Sequence, residues 1–171
     1  MLSPVRLWKG QNLIYPQATS YAIEALAFVA GLDAGATVKT RQLSEILEIP
    51  EQYLGKVMTQ LVKKRYISSS KGPTGGFELA VDPEKVTLYR VMASLDSLTP
   101  LEEDCVMGLG KCSSETPCAF HERWTKFKDQ VVAEAQKLTL TDLSKILLNK
   151  MRMRRNNQKL SFEEILEPHN K

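Results

Sequence analysis

From Ala18 the stretch "ATSYAIEALAFVAGL" sets Ala, Ile, Leu and Phe on most helical faces, which predicts a helix buried on most sides. Thr19 or Ser20 can cap its start, and the glycines of "GLDAGATV" break it. Next, "TRQLSEILEI" spaces Leu43, Ile46 and Leu47 for one face of a short helix behind Thr40, a candidate N-cap. After Pro50, suited to a helix's first turn, "EQYLGKVMTQLVKKR" carries an apolar stripe of Tyr53, Leu54, Val57, Met58, Leu61 and Val62. Its opposite face holds Gln52, Lys56, Thr59, Gln60 and Lys63. Two short helices, the second with hydrogen-bonding groups outward, outline a helix-turn-helix.

The period then shortens. "YISSS" and "GFELA" are short strand candidates joined by the Gly/Pro turn "KGPTGG". A hairpin after a helix-turn-helix is a wing, with Lys71 at its tip. A turn at Asp82–Pro83 precedes a helix capped by Thr87. Further on, Phe120, Trp124, Phe127, Val131, Ala135 and Leu138 recur at helical spacing. Thr116 as N-cap and Pro117 as first helical residue predict a start there, and a run to Leu138 is about 30 Å long. A long helix beyond a winged core suits dimerisation; packing on its own domain is the competing use. "LTDLSKILLNKM" makes one more short helix. The remainder is polar and reads as loosely ordered, with a helical turn at Phe162–Leu166.

The expected fold is therefore mainly α with a small β-wing. It comprises an N-terminal extension (1–14), a winged helix-turn-helix (15–98), a cysteine-rich loop (99–118), dimerisation helices (117–149) and a polar tail (150–171).

Composition adds little: 43% hydrophobic and 25% charged residues are ordinary for a globular chain. No apolar run reaches a membrane span, and the first residues lack a signal peptide's apolar segment. A cytoplasmic protein with reduced thiols is expected. The net charge of +3 is compatible with a nucleic-acid partner. No phosphate loop, triad or paired carboxylate site marks an enzyme.

Gln52, Lys56, Thr59 and Gln60 can offer donors and acceptors to base edges in a major groove. Tyr53 can pack inward or reach a phosphate. Thr40 and Arg41 can hold the DNA backbone, and Lys63, Lys64, Arg65 and Lys71 can neutralise phosphates. The basic run "KMRMRR" (Lys150–Arg155) reads as solvated surface. The bland reading is a helical protein with a polar face.

All three cysteines lie between Cys105 and Trp124, spaced Cys105-x6-Cys112-x5-Cys118-x2-His121. Short Cys-x2–4-Cys zinc knuckles are absent. A wide, glycine-bearing loop suits something larger than one ion, such as an iron–sulfur cluster. Zinc and a plain thiol switch stay open. Cys118 and His121 can face the same way at a helix start, where the dipole favours thiolate at Cys118. His169 reads as exposed surface, and Trp8 and Trp124 as packing residues.

From Tyr15 to about Leu148 the chain resembles the Rrf-two family of bacterial winged-helix repressors. That family includes the iron–sulfur cluster regulator and the nitric-oxide-sensing repressor of nitrite sensitivity. The resemblance rests on "YPQATSYAIEAL", "IPEQYLGKVMTQL", "SSSKGPTGGFEL", "VTLYRVMASLD", the three cysteines and "RWTKF…LTLTDL". It implies a homodimer crossing through the long helix, with two winged helices on a palindromic DNA operator. By matching position it assigns DNA contacts to Pro50, Gln52, Tyr53, Lys56 and Lys71. Position 71 is commonly arginine in the family, and lysine keeps phosphate attraction without bidentate base reading. The resemblance also implies a cluster ligated by Cys105, Cys112 and Cys118, with His121 as fourth ligand. Other members use an acidic residue near the partner's N-terminus; Ser20 matches it and is a poor ligand, and Glu102, Glu103, Asp104 and Glu122 are local carboxylate alternatives. His121 favours [2Fe–2S] over [4Fe–4S].

The expectation is a transcription repressor whose operator affinity follows an iron–sulfur cluster that senses redox state, nitric oxide or iron–sulfur supply. The alternatives are a winged-helix regulator with a thiol switch or zinc site, or a regulator acting through an enzyme partner.

Overall fold

The structure, a computed structural model, describes residues 15–72, 75–154 and 165. Three helices open the fold: α1 (Gln17–Val29), α2 (Thr40–Leu47) and α3 (Glu51–Lys63). The hairpin β1 (Ile67–Ser69) and β2 (Phe77–Leu79) follows, then α4 (Leu88–Ser94), α5 (Thr99–Glu103), α6 (His121–Lys137) and α7 (Leu140–Arg154). The expected mainly helical winged architecture is what forms.

Ala25, Leu26 and Phe28 of α1 are fully buried and meet Leu43 of α2 and Leu54, Met58 and Leu61 of α3. Burial of such side chains is worth roughly 1.5–3 kcal/mol each before entropic costs, and it fixes the angle between α2 and α3. Their connection is short: Glu48 takes a left-handed conformation (φ 56°), and the Ser44 hydroxyl donates to the Ile49 carbonyl at 2.6 Å.

Strands β1 and β2 are antiparallel, pairing Ile67 with Leu79 and Ser69 with Phe77. Val38 adds a rung unforeseen in the sequence, exchanging both backbone hydrogen bonds with Phe77 at 2.9 and 3.0 Å. The wing is thereby joined to the residue just before α2. Gly76 permits this closeness, since a Cβ there would lie 2.9 Å from the Val38 carbonyl oxygen.

A second apolar cluster of Met92, Leu98 and Leu101 receives Trp124, Val131 and Val132 from α6. Helix α7 packs on α1, with Leu140, Leu147 and Met151 in the main core. Ile165 is also fully buried there. The rest of the helical turn expected at Phe162–Leu166 lies outside the described residues, as do the 1–14 extension with Trp8, and His169.

Several helix starts move. Helix α1 begins behind Pro16, while Thr19 and Ser20 sit inside it, buried, with the Thr19 hydroxyl bonded to that of Ser97. Thr40 is the first residue of α2 and Lys39 its cap, because the Gln42 side chain reaches back to the Lys39 N–H at 2.8 Å. Pro50 caps α3 from outside, its carbonyl accepting from Tyr53 and Leu54. Helix α6 starts at His121, not at Thr116–Pro117, and its 17 residues span about 26 Å. Thr87 does cap α4, accepting from the Arg90 N–H at 3.3 Å. The α5 helix within the cysteine-rich segment was not foreseen, and α7 runs past 149 to Arg154.

Candidate nucleic-acid interface and cysteine loop

The α3 stripe turns Leu54, Val57, Met58 and Leu61 inward, which leaves Gln52, Tyr53, Lys56, Thr59 and Gln60 exposed on the other face. Tyr53 belongs to that outer face, being 62% exposed, with the Lys56 ammonium 6.0 Å from its ring centre. The inward alternative for Tyr53 is thus removed. The Thr59 hydroxyl donates to the Gly55 carbonyl of its own helix at 2.8 Å, so it offers a lone pair outward more readily than a proton. Pro50 is exposed at the leading end of the same face. Arg41 is exposed on α2 and paired with Glu45 at 3.0 Å, a hydrogen bond that raises its pKa above the ordinary range. Thr40 is half-buried beside it, and Lys71 is exposed where the wing turns.

The cysteine loop hangs between α5 and α6. Cys105 donates its N–H to the Gly110 carbonyl at 2.9 Å, and Cys112 donates to the Glu103 carbonyl at 2.6 Å. Gly108 and Gly110 hold left-handed conformations (φ 70° and 83°), tightening the first half of the loop. All three cysteines and His121 are half-buried.

These four side chains form two pairs. Cys112 Sγ lies 3.4 Å from His121 Nδ1. The Cys118 side chain lies close enough to Cys105 to act on its thiol. Cys105 is the thiol held below its ordinary pKa, chiefly by the Met107 N–H, then by the Leu109 N–H, the Cys118 thiol and the charge of Lys128, against partial burial. Cys118 precedes the first residue of α6 by three positions, and its carbonyl accepts from the His121 N–H at 3.0 Å. Among the described residues, no three His, Cys, Asp or Glu side chains converge on one metal ion's position.

Two α6 side chains that the sequence pattern does not mark as functional hold this loop. Trp124 Nε1 donates to the Asp104 carbonyl at 3.0 Å, and Lys128 Nζ donates to the Glu102 carbonyl at 3.0 Å. Trp124 does pack as expected, stacking on Phe127 with ring centres 5.5 Å apart. Its i, i+4 spacing from Lys128 was the only available signal. Phe120 and Phe127 are 48% and 43% exposed, and Ser20 is buried in α1. No described helix is long and apolar enough to cross a membrane.

The sequence profile of the Rrf2 family, described as an iron-dependent transcriptional regulator, matches residues 15–146. A putative HTH-type transcriptional regulator of Aquifex aeolicus is 33% identical over 136 residues, 78% of this chain and 93% of that protein. Among solved structures, CymR, the global cysteine regulator of B. subtilis, superposes with a TM-score of 0.62 at 20% identity, covering 76% of this chain and 95% of its own. IscR of T. potens gives 0.59 at 19% identity, covering 78% and 88%.

Proposed function

The chain belongs to the Rrf2 family of transcriptional regulators, and from that premise we propose a homodimeric cytoplasmic repressor controlled by an iron–sulfur cluster. In this reading α3 enters the major groove of a palindromic operator. Gln52 and Gln60 read base edges, Thr59 adds an acceptor, and Lys56, Tyr53, Thr40, Arg41 and Lys71 hold phosphates. Pro50 positions the helix start against the DNA backbone. The exposed Phe120, just before α6, and Phe127 within it supply apolar surface for the second copy.

The observation that carries the cluster reading is the grouping of Cys105 with Cys118 and of Cys112 with His121 in one half-buried loop. Two pairs of donors suit a [2Fe–2S] unit, where each iron takes two protein ligands. The description of the family as iron-dependent supports the metal. Such a group, when bound, supplies redox and nitric-oxide reactivity to the loop. The chain's part is to order residues 105–118 against α6 when these four side chains are ligated, and to relax when they are not. A coupling of about 1–3 kcal/mol would change operator affinity roughly 5–150-fold.

The test is an anaerobic absorption spectrum with iron analysis, alongside operator binding before and after nitric oxide or oxygen. Visible charge-transfer bands that vanish in Cys105→Ala and Cys112→Ala support the reading; a colourless, iron-free protein that still regulates removes it. The nearness of Cys118 to Cys105 favours one second reading, a dithiol switch. It predicts reversible loss of two free thiols on mild oxidation without bound metal.

A further inference from the structure

The end of α5 leaves its last carbonyls without helical partners, and three groups take them. The Glu102 carbonyl accepts from Lys128 Nζ at 3.0 Å, the Glu103 carbonyl from the Cys112 N–H at 2.6 Å, and the Asp104 carbonyl from Trp124 Nε1 at 3.0 Å. Two of the three donors are side chains of one α6 face, one turn apart, and they grip the backbone on the two sides of Glu103. The third belongs to the loop itself. The same indole packs against the cluster of Met92, Leu98 and Leu101, to which α4 contributes Met92. Helix α4 in turn gives its Arg90 carbonyl to the Tyr66 hydroxyl at 3.1 Å, beside β1. Loop, long helix and winged domain therefore meet at Trp124.

We propose that Trp124 and Lys128 are positioning residues that latch the cysteine loop to α6, so that order in the loop is felt by the helix and the winged domain. The regulatory half of this proposal rests on the function proposed above; the latch itself does not. Trp124→Phe keeps an aromatic ring for the stack on Phe127 and removes the N–H donor with part of the packing surface. Lys128→Met keeps the apolar stem and removes the ammonium.

Hydrogen exchange on the metal-free full-length protein tests the latch. The Cys105 and Cys112 amides should exchange about fivefold faster in either variant, while α3 amides keep wild-type protection and so report an intact fold. Unchanged loop amides overturn the latch. Operator binding with and without reconstituted iron then tests its use. The wild-type affinity ratio should collapse toward one in both variants while iron content stays at wild-type level. A variant with freed loop amides and an undiminished ratio overturns the regulatory role. If even the wild-type ratio is one, the cluster-sensing function fails, and the exchange data still decide the latch.

Discussion

Cys112 Sγ lies 3.4 Å from Nδ1 of His121, nine residues further on and the first residue of α6. The middle of a glycine-bearing loop is thus brought back to the start of the long helix. An imidazole at that point can join any ligand set the thiols make. It also lies one turn before Trp124, whose indole holds the other end of the loop.

Replacing that imidazole should separate His121 from its neighbours. His121→Ala should lower iron per chain or shift the visible absorption of anaerobically purified protein, whereas Glu122→Ala, exposed and paired with Lys126, should change neither. An unaltered spectrum in His121→Ala would put the fourth ligand elsewhere.

On α3, charge and base reading should come apart. Lys56→Ala should weaken binding alike on all sequences and reduce the salt slope by about one. Gln52→Ala should instead cost roughly 1–3 kcal/mol on the operator and relax preference at one position. Titrations at several salt concentrations on operator and scrambled duplexes distinguish the two, and equal losses on both duplexes for Gln52→Ala would exclude base reading there.

The wing tolerates no side chain at its base. A Cβ on Gly76 would sit 2.9 Å from the Val38 carbonyl oxygen, and one on Gly75 2.5 Å from that of Ser70. Gly76→Ala should therefore cost about 1–3 kcal/mol in urea unfolding. It should also weaken operator binding more than that loss explains, because the displaced strand carries the wing.

Helix α7 starts with a reciprocal cap: Asp142 accepts from the Thr139 N–H and hydroxyl at 3.1 and 2.7 Å, and the Thr139 hydroxyl accepts from the Asp142 N–H at 3.2 Å. Thr139→Ala should cost about 1 kcal/mol. The bond from the Thr139 hydroxyl lowers the Asp142 pKa below the ordinary carboxylate value. A carboxylate so depressed contributes stability that is full above its unfolded pKa, near 4, and lost as pH falls through its folded one. Asp142→Asn should therefore flatten the acid side of the stability profile, and a profile parallel to wild type would refute this account.

The helix-turn-helix and wing were legible because α3 must hide one face and β1–β2 need a Gly-rich turn, and both demands are local. The Val38 rung was not, since a single residue before a helix carries no alternation. Thr116–Pro117 has the local signature of a helix start, but Cys118, Ala119 and Phe120 form a turn first, and the helix begins at His121. The four candidate ligands were visible as residue types at wide spacing. Their grouping in two pairs was not, because it depends on how Cys112 is drawn to the Glu103 carbonyl. The sequence marks Trp124 as a packing residue alone, since a ring that packs and an N–H that donates look alike in one letter.

Ile165 is 0% exposed in the same core as Leu26 and Leu140, although the family match ends at residue 146. A gene trimmed to the matched region would delete this plug along with Met151, and would uncover apolar surface on α1. Such a fragment should aggregate or melt early, and its failure to bind DNA would then say nothing about the recognition helix. In this protein Leu147, Met151 and Ile165 are part of the foundation on which the winged domain stands.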